Sequence, residues 1–483
     1  MSDAGVTRRR LLQQAGASAA VAAGLPAVAR AAAGDRPNVV VIIVDTLRAD
    51  HAFGNRARTP NFDALARAGV SFTRFFPEAM PTVPARRSLL SGRRTFPFRR
   101  WHPYAGLLPE PGWAPLADVG GAFTSVLHRA GYWTAYATDN TSLGFSPPWA
   151  PFRRSFDRFA RRGGQFGGRS DGVSAAELRH WLPPEIDDPD NRDRILRYLA
   201  NGRYSHDERN SFAARVFRDG AKLLETAQRQ RPFALVVDTF EPHEPWTPPR
   251  KYVNMYGDPD YHGPEPARPY YAPASRYLHG RRGEVLLQRM RALYAAEVTM
   301  TDRWMGVFLD RLHDLGLEEE TAIVLVSDHG IYLGDYGLTG KIPSRLHPAL
   351  IHVPLVIVHP ERRRAGTRSR YFAQSHDVGP TVLAMAGVPI PAAMDGVNLS
   401  TIFDGRRPRE RPFAYGGYTN SFYIQTERFK LFGDNRGRDF HLYDPRRDHG
   451  EHRDIAGSHR GTTRGLYGRV RRKAGGSLPF YRV

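Results

Sequence analysis

A continuous run of β-branched residues, Asn38–Val44, constrains the fold of this chain more than any other feature. Its apolar residues do not alternate with polar ones, which is typical of a strand buried on both faces of a parallel sheet. Similar runs recur at Trp133–Thr138, Phe233–Thr239, Thr321–Ser327 and Val353–Val358. Helical patterns lie between them, at Leu116–Ala130, Asn210–Gln228, Glu284–Leu315 and His376–Ala386. We therefore predict an α/β fold whose large, mostly parallel sheet is sandwiched by helices.

Beyond residue 404 the pattern changes to short strand-like segments. They are Arg411–Tyr418, Phe422–Thr426, Phe429–Phe432 and Phe440–Tyr443. We predict that residues 34–404 form a catalytic domain, and that residues 405–483 form a small antiparallel subdomain ending in a basic tail from Gly461 onward. The stretches 95–115 and 146–206 have little periodicity and read as long loops, which commonly form the walls or lids of a site.

The N-terminus predicts export. Thr7-Arg8-Arg9-Arg10-Leu11-Leu12 precedes a weakly apolar, alanine-rich run that ends near Ala33, the form of a twin-arginine signal peptide. Residues 1–33 would be removed after passage through the twin-arginine (Tat) translocon, leaving a periplasmic or extracellular protein. The run is too short and too weakly apolar for a membrane span. The chain has no cysteine, which excludes disulfides and thiolate chemistry.

The net charge of +20 and the pI of about 10.3 come mostly from arginine. Such a balance suits an anionic substrate, nucleic acid or a membrane surface. The arginines are scattered through the chain and do not form one lysine-rich run, which argues against a dedicated nucleic-acid arm. We expect an anionic substrate and no nucleic-acid partner.

The segment Pro81–Arg93 combines a hydroxyl, Thr82, with an arginine four residues later, Arg86. Two prolines and the following residues predict a turn that opens a short helix, roughly 85–90. Thr82 would then lie at or just before a helix N-terminus, where free N–H groups favour an anion, although Thr82 could equally be only a helix cap. The planar, permanently charged fork of Arg86 suits sulfate or phosphate.

Polar residues follow the predicted strands. Asp45 follows the predicted strand Asn38–Val44, and Asp328 and His329 follow Thr321–Ser327. His243 comes shortly after the strand Phe233–Thr239. In parallel sheets the chemistry gathers at this carboxyl edge. Carboxylates and imidazole are suitable ligands for Zn²⁺, Mn²⁺ or Ca²⁺. Lys341, which lies shortly after the Asp-His pair, offers a positive charge for a substrate oxyanion.

These segments together resemble the sulfatase family of the alkaline phosphatase superfamily, over nearly the whole chain beyond residue 34. The resemblance is carried by Val44–Asp50, Pro81–Gly92, Gly131–Ala135, Pro242–Trp246, Ser327–Gly330, Leu338–Lys341, His352–Leu355, Asp377–Thr381, Phe429–Leu431 and Leu442–Pro445. It implies one divalent metal ion, held by Asp45, Thr82, Asp328 and His329.

The resemblance also implies roles at the substrate. Thr82 occupies the position of the nucleophile, and Arg86 would orient it and stabilise charge. His243 and Lys341 fall where the family contacts the oxyanion and assists the leaving group. Asn140 is the substrate-binding candidate in Thr138-Asp139-Asn140, which departs from the Gly-Lys-Trp-His stretch that the family has there.

Two departures from the family pattern matter. Sulfatases carry cysteine or serine at the position of Thr82 and convert it to formylglycine, whereas a secondary alcohol cannot be oxidised to an aldehyde. A second aspartate of the family is replaced by Thr46, which weakens a calcium site and favours Zn²⁺ or Mn²⁺. A second metal would need further ligands, for which Asp238, His243 and either His347 or His376 are the candidates.

The leading interpretation is an exported, metal-dependent sulfatase-like hydrolase that cleaves sulfate or phosphate esters with Thr82 as nucleophile. One alternative is a phosphodiesterase, phosphonate hydrolase or phospho-alcohol transferase of the same superfamily. The other alternative is a non-catalytic homologue that binds anionic glycans. Thr82 favours phosphorus over sulfur, and the overall resemblance favours a sulfatase.

Overall fold

The strands follow the β-branched runs closely. In the computed structural model they are β1 Asn38–Val44, β2 Val70–Phe72, β3 Phe75–Phe76, β4 Ala79–Met80, β5 Trp133–Thr138, β6 Arg158–Arg161, β7 Phe233–Thr239, β8 Ala272–Pro273, β9 Thr321–Ser327, β10 Tyr332–Leu333, β11 Leu338–Gly340, β12 Leu355–Val358, β13 Thr367–Ser369, β14 Ala373–Gln374, β15 Phe413–Tyr418, β16 Ser421–Thr426, β17 Lys430–Asp434 and β18 His441–Tyr443. The structure describes residues 36–168, 170–202 and 207–482, and the predicted signal peptide lies outside them.

The α-helices alternate with these strands. They are α1 Ala49–Ala52, α2 Pro60–Ala68, α3 Thr82–Ser91, α4 Phe123–Arg129, α5 Thr141–Phe145, α6 Ala150–Arg153, α7 Ala175–Trp181, α8 Pro189–Gly202, α9 Phe212–Ala227, α10 Arg250–Val253, α11 Gly280–Asp314, α12 Pro348–Ile351, α13 Val378–Met385 and α14 Arg460–Lys473. None of the helices in the described ranges has an apolar stretch long enough to cross a membrane.

One eight-stranded sheet forms the centre, in the order β13-β2-β12-β9-β1-β7-β5-β6. The five strands from β9 to β6 are parallel, and β12 joins them antiparallel to β9. All seven residues of β1 are buried because it lies between β7 and β9 and both of its faces are covered. The predicted α/β fold with a large, mostly parallel sheet is confirmed.

Alternate residues of β1 pack into two different cores. Val40, Ile42 and Val44 belong to the cluster that contains the apolar faces of α9 and α11. The intervening residues, such as Val41, belong to the cluster that contains α3, α4 and α13. This division follows from the period of two in a strand, and it places helices on both faces of the sheet. Helix α3, which begins at Thr82, thus packs on one face of the sheet.

The C-terminal strands form a separate sheet in the order β18-β17-β16-β15-β4, antiparallel apart from the parallel pairing of β4 with β15. The predicted small antiparallel subdomain is therefore present, within the same compact unit as the large sheet. Its parallel edge strand β4 comes from the N-terminal part of the chain and immediately precedes Pro81 and Thr82. The C-terminal sheet consequently holds the segment from which α3 starts.

Three predicted segments differ in the structure. The predicted helix over 116–130 begins only at Phe123, because the Asp118 side chain accepts a hydrogen bond from Gly121 N in a preceding turn. The predicted loop 146–206 contains α6, β6, α7 and α8. The predicted tail contains α14, whose Leu466 and Val470 are buried among the C-terminal core residues. Apolar residues spaced about one turn apart among arginines were the signal for this amphipathic helix.

Candidate active site

Three metal-ligating side chains meet at the carboxyl edge of the central sheet. Asp45 follows β1, and Asp328 and His329 follow the neighbouring β9, whose Ser327 pairs with Val44. All three side chains are fully buried. One ligand atom from each lies within 4.8 Å of the other two. Among the residues that the structure describes, this is the one group of three or more His, Cys, Asp or Glu with such spacing.

Thr46 orients both carboxylates. Its backbone N–H donates to Asp328 Oδ1 over 2.9 Å, and its hydroxyl donates to Asp45 Oδ1 over 2.6 Å. The residue has a left-handed backbone with φ 59°, which turns both donors toward the carboxylates. Thr46, which replaces a carboxylate of the family pattern, thus hydrogen-bonds to the cluster without adding a charge.

His329 presents the lone pair of an imidazole nitrogen, Nε2, to the cluster and to Thr82. Its Nδ1 donates to the carbonyl of Gly330 over 3.0 Å, so Nε2 carries the lone pair. Nε2 lies 3.5 Å from Asp328 Oδ2 and 3.9 Å from Asp45 Oδ1. Burial lowers the pKa of His329, which keeps the ring in the neutral form that binds metals.

Thr82 is the first residue of α3, which follows Pro81, and its Oγ1 lies 3.5 Å from His329 Nε2. The predicted helix N-terminus at this position is confirmed, although the helix starts three residues earlier than predicted. Thr82 is 4% exposed, and it lines an open cavity next to the cluster. The hydroxyl therefore lies at the boundary between the buried ligands and the open cavity.

Arg86 lies one turn after Thr82 and is fully buried. Its Nη2 is 2.7 Å from Asp238 Oδ1, and Nη1 donates to Asp328 and lies 2.9 Å from Asp45 Oδ2. Tyr136 OH donates to Asp238 over 2.7 Å. Burial disfavours the cation, but the three carboxylates outweigh it and raise the pKa of Arg86 well above its usual range. Because it is fully buried, Arg86 offers no surface to the cavity, and its predicted contact with a substrate oxyanion stays a prediction.

The two carboxylates of the cluster have opposite electrostatic environments. Burial and the neighbouring Asp328 raise the pKa of Asp45 well above its usual range. Burial also disfavours the charged form of Asp328, but Arg86 and His329 outweigh it and hold its pKa well below the usual range. Asp45 Oδ2 accepts no hydrogen bond from the described residues, although it lies at ion-pair distance from Arg86. This orphaned oxygen fits a site that accepts a cation.

His243 and Lys341 stand at the floor of the cavity and are fixed by Glu244. Lys341 Nζ donates to both carboxylate oxygens of Glu244 over 2.8 Å, and Tyr271 OH donates to the same carboxylate. His243 Nδ1 donates to the Glu244 carbonyl over 2.6 Å, and its ring stacks on Phe240. Burial lowers the pKa of His243 well below its usual value, so its ring is neutral and Nε2 is an acceptor. Glu244 therefore holds both residues in place through its side chain and its carbonyl.

The cavity has a volume of about 550 Å³. Its walls come from both predicted long loops, which supply aromatic, aliphatic and charged side chains. The sequence analysis did not single out the following lining residues: Leu107, Leu108, Glu110, Phe166, Asp190, Asp193, Arg194, Arg197, Arg268, Tyr271 and Tyr418. Most of them lie in the two long loops, and the length of those loops was their only signal in the sequence.

Asn140 and the candidates for a second metal lie elsewhere. Asn140 is buried, and its Oδ1 accepts from Leu143 N to cap α5. Asp238 is engaged by Arg86 and Tyr136, His347 is hydrogen-bonded to Glu451, and His376 lies beside Arg94. The structure therefore does not bring these residues together with His243 as a second metal site.

Comparison with known proteins identifies the family. The sequence profile described as "Sulfatase" matches residues 37–388, which is more than half of the chain. The chain belongs to the sulfatase family. A second profile, "N-sulphoglucosamine sulphohydrolase, C-terminal", matches residues 344–464. The predicted enzyme class, a sulfatase-like hydrolase acting on ester bonds, is confirmed by this membership.

Similar proteins cover most of the chain. The multifunctional alkaline phosphatase superfamily protein PehA of Trinickia caryophylli is 28% identical over 425 residues, 78% of each chain. The arylsulfatase of Clostridium perfringens is 26% identical over 436 residues, 84% of this chain and 87% of its own. The crystal structure of the phosphonate monoester hydrolase of Agrobacterium radiobacter has a TM-score of 0.68 at 22% identity, covering 90% of this chain and 95% of its own. This last likeness supports the fold.

Replacing Arg86 tests the charge balance of the site. Arg86→Met would leave three buried carboxylates without their counter-charge, so we expect the free energy of unfolding to fall by about 3–5 kcal/mol. The measurement is urea unfolding in the presence of a chelator. Arg87→Met is the matched control, because Arg87 forms no ion pair within the described ranges and donates to Gly112 O. Arg87→Met should lower the free energy of unfolding by about 1 kcal/mol. Equal losses of stability in the two variants would contradict the role of Arg86 as the counter-charge of the three carboxylates.

Proposed function

We propose that this chain is an exported, metal-dependent hydrolase of sulfate or phosphate esters in which Thr82 is the nucleophile. The position of the Thr82 hydroxyl carries the proposal. It lies 3.5 Å from His329 Nε2, and Thr82 also lines the cavity. A hydroxyl between metal-ligating atoms and an open cavity is arranged to attack an ester bound in that cavity.

The residues present fit one divalent cation, Zn²⁺, Mn²⁺ or Ca²⁺. Asp45, Asp328 and His329 would hold it together with the Thr82 hydroxyl. Asp45 Oδ2 accepts no hydrogen bond from the described residues, and the Nε2 lone pair of His329 faces Thr82 Oγ1 at 3.5 Å. When bound, such a cation lowers the pKa of a hydroxyl and neutralises the anion of the substrate. Thr46 in place of a further carboxylate favours Zn²⁺ or Mn²⁺ over Ca²⁺.

The reaction takes two steps at the Thr82 oxygen. Oγ1 forms a bond to the phosphorus or sulfur atom as the bond to the leaving-group oxygen breaks; the Thr82 proton passes to water in the cavity, and the leaving-group oxygen takes up a proton. Water then attacks the same atom, the bond to Oγ1 breaks, and the free hydroxyl is restored. The ester is thus exchanged for a free alcohol and an inorganic anion.

Lys341 and His243 suit different steps. Two N–H donors of the Lys341 ammonium are used by Glu244, and the third can donate to the leaving-group oxygen. His243 is neutral, with Nδ1–H donated to a carbonyl, so its Nε2 can only accept. An acceptor in the cavity is suited to take the proton of the attacking water in the second step.

Threonine favours phosphorus as the atom that is attacked. The formylglycine route, in which an aldehyde hydrate attacks sulfur and later expels sulfate, requires a primary alcohol or a thiol at this position. A phosphothreonine intermediate needs no such conversion, because water can cleave it at phosphorus. The two similar proteins support different ester classes for the substrate. One is named an arylsulfatase, which supports sulfate esters, and the other a multifunctional alkaline phosphatase superfamily protein, which supports phosphate esters.

Removing the nucleophile tests the mechanism. We expect Thr82→Ala to lower kcat/KM at least about 1,000-fold, because no other hydroxyl takes the place of Oγ1. Nitrophenyl sulfate, phosphate monoester, phosphate diester and phosphonate ester would be compared, with Zn²⁺, Mn²⁺ and Ca²⁺ supplied in turn. Mass spectrometry should detect a phosphoryl group on Thr82 in protein quenched during turnover.

Thr82→Ser is the matched control for that experiment, since it keeps a hydroxyl at the same position and should retain measurable turnover. Normal activity in Thr82→Ala would contradict the covalent mechanism. Turnover only with an added acceptor alcohol would indicate the transferase alternative. Tight binding of anionic glycans without turnover of any ester would indicate the non-catalytic alternative.

Metal binding has a readout that is independent of activity. At a free metal concentration about 100 times Kd, the stability of the protein should rise by about 2.7 kcal/mol. The measurement is thermal unfolding of chelator-treated protein before and after Zn²⁺ or Mn²⁺ is added. Asp45→Asn should lose this rise, whereas His347→Gln, a buried histidine outside the cluster, should keep it. A rise of the same size in Asp45→Asn would place the metal elsewhere.

Export is tested at the N-terminal arginines. Twin-arginine translocation depends on the paired guanidinium groups, so the double substitution Arg8→Lys, Arg9→Lys should leave the full chain in the cytoplasm of an expressing bacterium. Cell fractionation measures the exported share. Arg30→Lys, near the other end of the predicted signal, serves as the control and should export normally. Undiminished export of the double variant would refute this route.

A further inference from the structure

Two exposed apolar residues flank the mouth of the cavity. Leu108 is 41% exposed and Phe145, the last residue of α5, is 43% exposed. The loops that carry them touch each other, because a Cβ on Gly106 would lie 3.1 Å from Cδ of Pro147. Leu108 and the first residues of α5 also line the cavity itself. The apolar surface is therefore continuous with the rim of the proposed active site.

Three arginines surround this apolar surface. The guanidinium of Arg161 lies over the ring of Phe145 at 4.9 Å, and Arg153 donates to the carbonyls of Leu143 and Ser146. Arg154 is next in the chain and exposed. Partial burial, together with the charges of Arg161 and Arg154, lowers the pKa of Arg153. Throughout the described ranges, no carboxylate forms an ion pair with any of the three, so their positive charge is uncompensated.

These residues define a cavity-rim patch, made of Leu108, Phe145, Pro147, Arg153, Arg154 and Arg161. We propose that the cavity-rim patch binds the surface of an anionic lipid bilayer, with the mouth of the cavity at the interface. The two parts of the patch match the two parts of such a surface: the arginines face anionic headgroups, and Phe145 and Leu108 reach the apolar boundary below them.

The apolar part of the patch favours lipid over a soluble polyanion. An anionic polysaccharide or nucleic acid would neutralise the arginines, but the aliphatic Leu108 and Pro147 offer it neither a stacking ring nor a hydrogen bond, and the guanidinium of Arg161 covers one face of the Phe145 ring. Moving the apolar atoms of these side chains from water into the acyl region of a bilayer is favourable. Binding would be peripheral, and this inference does not depend on which ester the site cleaves.

Vesicle co-sedimentation of the purified protein tests the proposal. We expect binding to phosphatidylcholine vesicles that contain phosphatidylglycerol, weakening as salt is raised, and little binding to pure phosphatidylcholine. Arg154→Gln should weaken binding about fivefold, the effect of one interfacial charge. Phe145→Ser should weaken it about tenfold through the loss of apolar contact.

Matched controls stand elsewhere on the surface. Met255→Ser removes an apolar side chain of nearly the same exposure, 42%, and Arg464→Gln removes an exposed arginine of α14. Both should bind vesicles as the unmodified protein does, and thermal unfolding checks that all variants fold. The proposal is overturned if the controls weaken binding as much as the patch variants, if neutral vesicles bind equally well, or if a soluble anionic polysaccharide binds and vesicles do not.

Discussion

The contact of Arg86 with three buried carboxylates is the constraint on which the site depends. Asp45, Asp238 and Asp328 lie at the ends of the three neighbouring strands β1, β7 and β9, where like charges would repel in a dry interior. Arg86 neutralises part of this charge from α3 and thereby fixes the helix against the sheet edge. The position of the Thr82 hydroxyl follows, because it stands one turn earlier on that helix.

The charges that Arg86 leaves uncompensated account for the cation in the proposed mechanism. Three carboxylates face one guanidinium and a neutral imidazole, which leaves an excess of two negative charges. Burial, together with the neighbouring Asp328, raises the pKa of Asp45, which is the direction expected for excess negative charge in a dry interior. A divalent cation supplies the missing charge, and the cluster already presents two lone pairs toward it.

The sequence predicted β1, β5, β7, β9 and β12 of the central sheet to within a few residues, because their buried segments are continuous apolar runs. It did not predict β2, β6 and β13, which are short and contain no such run. The sequence also predicted which residues follow β1 and β9, and the sheet register brings Asp45 and Asp328 together as expected. Side-chain direction could not be predicted in this way. Arg86 points into the carboxylates, and Asn140 caps α5. The first outcome depends on contacts between residues more than 100 positions apart, and the second on a local helix cap that uses only Oδ1 of Asn140.

Threonine in place of the family's cysteine or serine also has a physical consequence. A β-branched side chain has few χ1 rotamers, and Thr82 is held at the first turn of a helix with 4% of its surface exposed. Its hydroxyl is therefore held toward the metal-ligating atoms before any substrate arrives, whereas serine would lose rotamer freedom on binding. Preorganisation of this kind lowers the entropic part of an activation barrier. In the proposed mechanism, a threonine nucleophile that needs no chemical maturation would gain from being held in place by its own methyl group.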